Sequence, residues 1–408
     1  MFFVQEFTHN KVLQICLGVS TFAYFIVFSS WIGRQMVTNK AVTDLTYRCQ
    51  PYLQNCEAFY FLNALPQGYS QTLWYMFIFG ALVFIVYLLM KKRWLEACIL
   101  LLLPYLWHAG NTFIMTDFAR DNYEYYVFIF TSILLFFPHK EFFIKLSLVL
   151  FYVLSTFAKV HPAWITGGYF TNLQLGLPLF PAWSIPLLTN FVMLMEMVGA
   201  WFLLSKHPWL QRTALAFFIT FHLYSGILVE YRYPATVLPM ILAVFGPFYR
   251  WTPPPLTKRS VLSWSLMALL VFMQLTPKMI EGDEKLTLEG NGYGLYMFET
   301  NHQCVSEATF NYNNGASETE SEVSSLARNR CDPYRDWFLY NKLCERYPDI
   351  DSISWTFDHS INGDDFLRII DVANVCALDY KATSHNPWIK TYNENPEAVG
   401  KAVKNIYY

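Results

Sequence analysis

The sequence predicts an all-α polytopic membrane bundle of about nine transmembrane helices, followed by a small α+β extracytoplasmic C-terminal domain. Three observations predict it. Hydrophobic residues make up 54% of the 408 residues and charged residues only 15%, where soluble proteins carry about 25%. The charge deficit falls in residues 1–277, expected to form the transmembrane domain, while residues 278–408 are polar and charged. The cysteines outside the apolar runs all fall where such a topology places the outer face.

A membrane span needs about twenty apolar residues, and fewer inside a bundle. The apolar runs lie at 12–33, 72–90, 94–115, 124–137, 142–159, 185–204, 210–229, 233–249 and 261–277. The first is too long for a signal-peptide core and lacks a small-residue cleavage site after it, so it is expected to remain as a helix. The fourth is short. The eighth is expected to be broken by Pro234, Pro239 and Pro247. Orientation follows from the cations of short loops. Lys91, Lys92 and Arg93, then Lys140 and Lys145, then Lys206 and Arg212, then Arg250, Lys258 and Arg259 mark one side as cytoplasmic. The other side holds Arg34, Lys40, Arg48, Arg120 and Arg232. The N-terminus is then inside and residues 278–408 outside.

Cys49, Cys56, Cys304, Cys331, Cys344 and Cys376 all fall on that outer side, where disulfides persist. A Cys49–Cys56 bridge is expected, and the four tail cysteines leave three connectivities open. Cys16 and Cys98 lie within spans and read as core residues. The spacings do not resemble a zinc site, so no metal is expected. The net charge of −2 argues against a nucleic-acid partner. The expected partners are membrane lipids and a protein docked on the extracytoplasmic domain.

Ionisable groups at bilayer depth cost a few kcal/mol (roughly 2.5–3.5 on insertion scales) and usually face one another inside the bundle. Lys159 closes the fifth apolar run. His108 and Asn111 lie on the third, followed by Asp117 and Arg120, and Asn122, Tyr123 and Glu124 open the fourth. Glu196 is inside the sixth; His222, Glu230 and Arg232 follow along the seventh. Two readings of Lys159 stand side by side. Its stem can snorkel along apolar surface to put the amine in water. Alternatively, an amine shielded from water gives up its proton more readily and serves as a general base. His222 likewise reads either as an interhelical hydrogen-bonder or as a reactive group.

The run Lys159-Val160-His161-Pro162-Ala163-Trp164, continued by Gly167-Gly168-Tyr169, resembles the core of the vitamin K-dependent gamma-glutamyl carboxylases and their bacterial relatives, the horizontally transferred transmembrane (HTTM) family. Thr220-Phe221-His222-Leu223 resembles that family's aromatic-His stretch, and Leu103-Pro104-Tyr105 with 122–126 resembles an earlier block. The resemblance covers residues 8–277. It implies Lys159 as the base that deprotonates a quinol or hydroquinone in oxygen-driven epoxidation or carboxylation, with His222 as a supporting group. Trp164, Glu196, His108 and Tyr123 are the expected ligand contacts. The chain departs from the family at Tyr123, where a histidine is usual, and at Ala158, where a second lysine is usual. The alternative is a non-catalytic membrane subunit whose C-terminal domain docks a partner in a larger assembly.

In the tail, Gly290 to Phe298 is glycine-rich without the strand–helix context of a nucleotide loop, and reads as a flexible exit from the membrane. Residues 313–325 are expected to be a loop. Residues 332–347 have helical periodicity, with Tyr334, Trp337 and Phe338 on one side. Residues 351–360 and 366–372 read as strands around an Asn362-Gly363 hairpin, with Asp358, His359, Asp364 and Asp365 in a solvated turn.

Overall fold

The computed structural model describes residues 4–43, 48–56, 69–114, 122–171, 176–228, 231–296, 300–324 and 331–401. Each predicted apolar run is helical within them: α1 (Lys11–Thr43), α2 (Tyr69–Met90), α3 (Trp94–Ile114), α4 (Asn122–Phe136), α5 (Lys140–Phe157), α6 (Ala182–Phe202), α7 (Pro208–Leu228), α8 (Arg232–Phe245) and α9 (Val261–Met279). Among the described residues, four segments are long and apolar enough to cross a membrane: Lys11–Trp31, Trp94–Ile114, Ala182–Phe202 and Lys258–Met279. That is the signature of a membrane protein. Helix α2 shows the same solvent preference on its surface. Phe77, Val83, Phe84 and Met90 are exposed while Ile78, Leu82 and Ile85 are buried, so this helix is apolar all round.

Two compact units divide the chain. One comprises Met1–Gln50, Asn55–Leu154 and Leu194–Phe272; the other comprises Pro51–Gln54, Ser155–Met193 and Met273–Tyr408.

In the first unit, helix α8 is continuous through Pro239, against the expected break. Pro234 lies in its first turn, where a missing N–H breaks no helical bond, and the helix stops at Gly246, before Pro247. Lys140 and Lys145 are not loop cations. Both lie in α5 and are buried. Lys145 Nζ donates to Glu141 Oε1 and to the Arg250 carbonyl, each at 2.7 Å, and Arg250 Nη2 donates to Glu141 Oε2 at 2.9 Å. Cys49 and Cys56 are bridged, while Cys16 and Cys98 are free and buried.

The second unit contains an antiparallel sheet of order β2-β1-β3-β4-β5, with β1 (His302–Tyr312), β2 (Ser317–Ser324), β3 (Ile350–Ile361), β4 (Phe366–Val372) and β5 (Glu397–Gly400). Alternation sets its inner face: Ile353, Trp355, Phe357 and His359 on β3 are buried, as period two requires. Helix α10 (Pro333–Arg346) begins at Asp332, whose side chain accepts the Tyr334 N–H, and places Pro333 at the first helical position. Its Tyr340 packs edge-on to Trp355. Two bridges, Cys304–Cys331 and Cys344–Cys376, select one of the three open connectivities.

Three tail expectations change. Residues 317–324 form a strand rather than a loop. As an exposed edge strand, β2 has no apolar face to advertise it. The glycine-rich stretch is fastened rather than loose: Gln274, in α9, donates to the Leu295 carbonyl at 2.9 Å and accepts the Leu295 N–H. His359 is fully buried, not solvated, and Asp358 is paired with Arg368 across the β3–β4 ladder at 2.8 Å. Only Asp364 and Asp365 fit the solvated turn.

Candidate functional site

Helix α5 ends at Phe157 and the chain turns tightly, the Lys159 N–H donating to the Thr156 carbonyl at 2.8 Å. A single helical turn, Pro162–Ile165, follows with His161 in the extended cap position. Gly167 then takes a left-handed conformation, φ 78°. A side chain there would be strained and would press on Ile185 and the Pro186 backbone. This reversal folds Tyr169 back onto Trp164, with ring centroids 5.2 Å apart and Met193 packed beside them. Lys159 is 2% exposed. Its Nζ lies over the Trp164 ring, 5.4 Å from the centroid, where the ring face favours a positive charge on that nitrogen. The reversal is fastened to the sheet domain: Asn301 Nδ2 donates to the Tyr169 carbonyl at 2.8 Å, and Asn301 exchanges backbone and side-chain bonds with Asn362 of the β3–β4 turn.

A second group lies in the first unit and links Glu196 and His222 through shared tyrosines. Glu196 sits on a π-helical turn, Met195–Gly199, within α6. Such turns widen a helix by one residue and often mark functional positions. Tyr152 of α5 shares a hydrogen bond with His222 Nε2 of α7. The Tyr233 hydroxyl of α8 donates to that of Tyr126 of α4 at 2.9 Å, and the Tyr233 ring lies 5.4 Å from His222. The Glu196 carboxylate acts electrostatically on Tyr126, Tyr152 and Tyr233. One carboxylate, one imidazole and three phenols, all buried, are thus drawn from five helices. Hydroxyls and an imidazole can pass a proton along hydrogen bonds, which the hydrocarbon around them cannot do.

His108 and Tyr123 meet at a third group, also in the first unit. Trp31 Nε1 donates to Glu124 Oε1 at 2.8 Å, and the Tyr123 hydroxyl lies 3.2 Å from the same oxygen. The His108 ring stands edge-on to Trp31 at 5.5 Å and to Tyr24 at 5.7 Å. Among the described residues, neither His108 nitrogen nor Asn111 Oδ1 has a hydrogen-bond partner. Buried polar atoms of this kind are satisfied by ordered water or by a ligand.

The expected site residues therefore fall into three groups: Lys159 directly over Trp164, Glu196 and His222 linked through the tyrosines, and His108 and Tyr123 linked through Trp31 and Glu124. Asp117, Arg120 and Glu230 lie outside the described residues. Sequence reasoning missed Trp31, Tyr126, Tyr152 and Tyr233 as partners. The one signal was the buried carboxylate itself, since a charge at depth demands donors from other helices.

The tail adds a fourth group, unforeseen in the sequence. His359 Nδ1 lies 2.7 Å from the Leu286 carbonyl, which only accepts, so Nδ1 carries the proton. His359 Nε2 then accepts from His302 Nδ1 at 3.0 Å. Burial pushes the His359 imidazole down to about 4, partly opposed by the Leu286 bond. Nearby, Glu289 accepts the His385 Nδ1–H at 2.7 Å and both nitrogens of Asn386. No group of three or more His, Cys, Asp or Glu among the described residues is placed to hold a metal ion.

Comparison with protein-family models, curated proteins and solved structures returns no match.

Proposed function

We propose that the chain is a nine-span membrane enzyme that uses Lys159 as a general base on a quinol-like lipid, with its N-terminus cytoplasmic and residues 278–408 outside. The observation that carries this reading is the amine's placement. Lys159 is buried and lies over the Trp164 indole, whereas a snorkelling lysine extends its amine to water. An indole beside a base suits a planar hydroquinone. The ring offers stacking area, the amine takes a hydroxyl proton, and the ammonium so formed is held by the indole face. Oxygen-driven epoxidation or carboxylation is the reaction class that the HTTM resemblance implies. Glu196 and His222, within their own phenol cluster, are assigned to proton movement, and His108 and Tyr123 to ligand contact. The two tail disulfides support an oxidising compartment for residues 278–408, and the Cys49–Cys56 bridge supports the same side for its loop.

Mass spectrometry of small molecules co-purifying with the wild type and with Lys159→Ala tests it. A stoichiometric quinone or related isoprenoid, depleted in the variant, is the expected result. Only bulk phospholipid in both would sink the reading.

A second reading, the non-catalytic subunit, has one observation in its favour: among the described residues β2 pairs on one side only, and its residues are exposed. Co-purification of a stoichiometric polypeptide, released by substitutions on β2 but not at Lys159, would favour it.

A further inference from the structure

We propose that the apolar groove between α5, α6 and α9 binds an acyl chain of an anionic phospholipid, with the lipid phosphate held by Lys206 and Arg250. The inference rests on the chain being a membrane protein, not on the Lys159 chemistry.

The groove lies within the first unit and measures about 570 Å³, well inside the range of roughly 300–1,000 Å³ typical of ligand sites. Helix α5 supplies Phe142, Leu146 and Leu150 to its wall, and Met267, Ala268 and Val271 come from α9. Two of the flanking segments, Ala182–Phe202 and Lys258–Met279, are among those able to cross a membrane. An apolar groove between such helices meets hydrocarbon rather than water, so its natural filling is a lipid tail.

One end is built differently. Trp201, Trp251 and Trp264 all line the groove, and tryptophan favours the level of lipid headgroups. Lys206 Nζ stands 4.9 Å over the Trp251 ring, which fixes a cation beside the groove. Arg250 precedes Trp251, and its side chain remains 60% exposed while it bonds Glu141. That carboxylate is itself buried and also accepts from Lys145, so it does not cancel the exposed cations. Lys258 and Arg259 flank the start of α9 and are exposed as well. A long apolar slot with cations at one end matches an amphiphile with an anionic head. A zwitterionic lipid would bring its own cation to the same place and gain less.

The test uses full-length protein in detergent, stripped of lipid and then offered phosphatidylglycerol or phosphatidylcholine of identical chains, with bound lipid counted by native mass spectrometry. One phosphatidylglycerol per chain is expected, preferred over phosphatidylcholine by tenfold or more. Ala268→Phe, which fills the groove, should abolish retention of both. Lys206→Glu, at an exposed position with little bearing on folding, should cut the preference at least fivefold, the scale of one cation near a membrane surface. Inorganic phosphate at millimolar concentration should not displace the lipid, because the acyl chain carries much of the affinity. Equal retention of the two lipids, or a preference unchanged in Lys206→Glu, would overturn the assignment.

Discussion

At Lys159 the charge and the base can be separated by substitution. Lys159→Arg places a permanent cation beside Trp164 that cannot accept a proton, and Lys159→Met keeps most of the volume with neither charge nor base. If the amine transfers a proton, both variants should lower turnover of added hydroquinone by about 10²–10⁴-fold while their melting temperatures stay close to the wild type. Full activity in Lys159→Arg would reduce the side chain to an electrostatic support. His359 gives a test outside the spans. Its folded value of about 4 lies below the ordinary 6.5, so the unfolded chain binds the extra proton between those limits. The contribution is complete above pH 6.5, is lost as pH falls toward 4, and totals on the order of 3 kcal/mol. Thermal unfolding followed between pH 7 and pH 4 should show that loss, and His359→Gln, which takes up no proton, should flatten it. A slope unchanged in the variant would assign the acid sensitivity to other groups. These two sites differ in how far the sequence reveals them. Lys159 and Trp164 are five residues apart, and their contact follows from the tight turn that ends α5 and leads into Pro162–Ile165. His359 meets His302 across a β-ladder, and Tyr152 meets His222 across two helices, so neither pairing leaves a mark in the local sequence.

Elements reveal themselves in the sequence in proportion to the apolar signal they carry. Helices α1 to α9 stand out because their exposed and buried sides are both largely hydrophobic, and length alone marks their ends within a few residues except in α1, which runs on to Thr43. The α10 helix is legible for another reason: Asp332-Pro333 caps it and one side alone is apolar. Replacing Asp332 by Ala removes the bond to the Tyr334 N–H and should cost about 1 kcal/mol, read as a lower unfolding midpoint of the tail. Strand β2 gave no such signal, because every alternate residue is polar and both faces meet solvent. It is held instead by its ladder to β1 and by the neighbouring Cys304–Cys331 bridge. Closing a loop with a sequence separation of 27 contributes about 3–4 kcal/mol by restricting the unfolded chain. The double variant Cys304→Ser with Cys331→Ser should therefore expose the tail to limited proteolysis at neutral pH. Resistance equal to the wild type would show that the sheet alone suffices.

At the scale of the whole molecule, the disulfides and the membrane helices constrain each other. Bridges in the tail and between Cys49 and Cys56 favour an oxidising compartment for both segments. The proposed topology pairs an odd number of spans with a cytoplasmic N-terminus, and the cation count behind that orientation must be revised, because Lys140 and Lys145 are buried in α5 rather than loop charges. Lys91, Lys206, Lys258 and Arg259 remain exposed on the same predicted side, so the bias survives without them. Labelling of intact cells with a membrane-impermeant thiol reagent tests the result directly. The native cysteines among the described residues contribute little background, since six are bridged and Cys16 and Cys98 are buried. Thr383→Cys, on the exposed surface of the tail, should react from outside, and Lys91→Cys should react only after the membrane is permeabilised. If both react from outside, an even number of spans separates them and the nine-span topology fails.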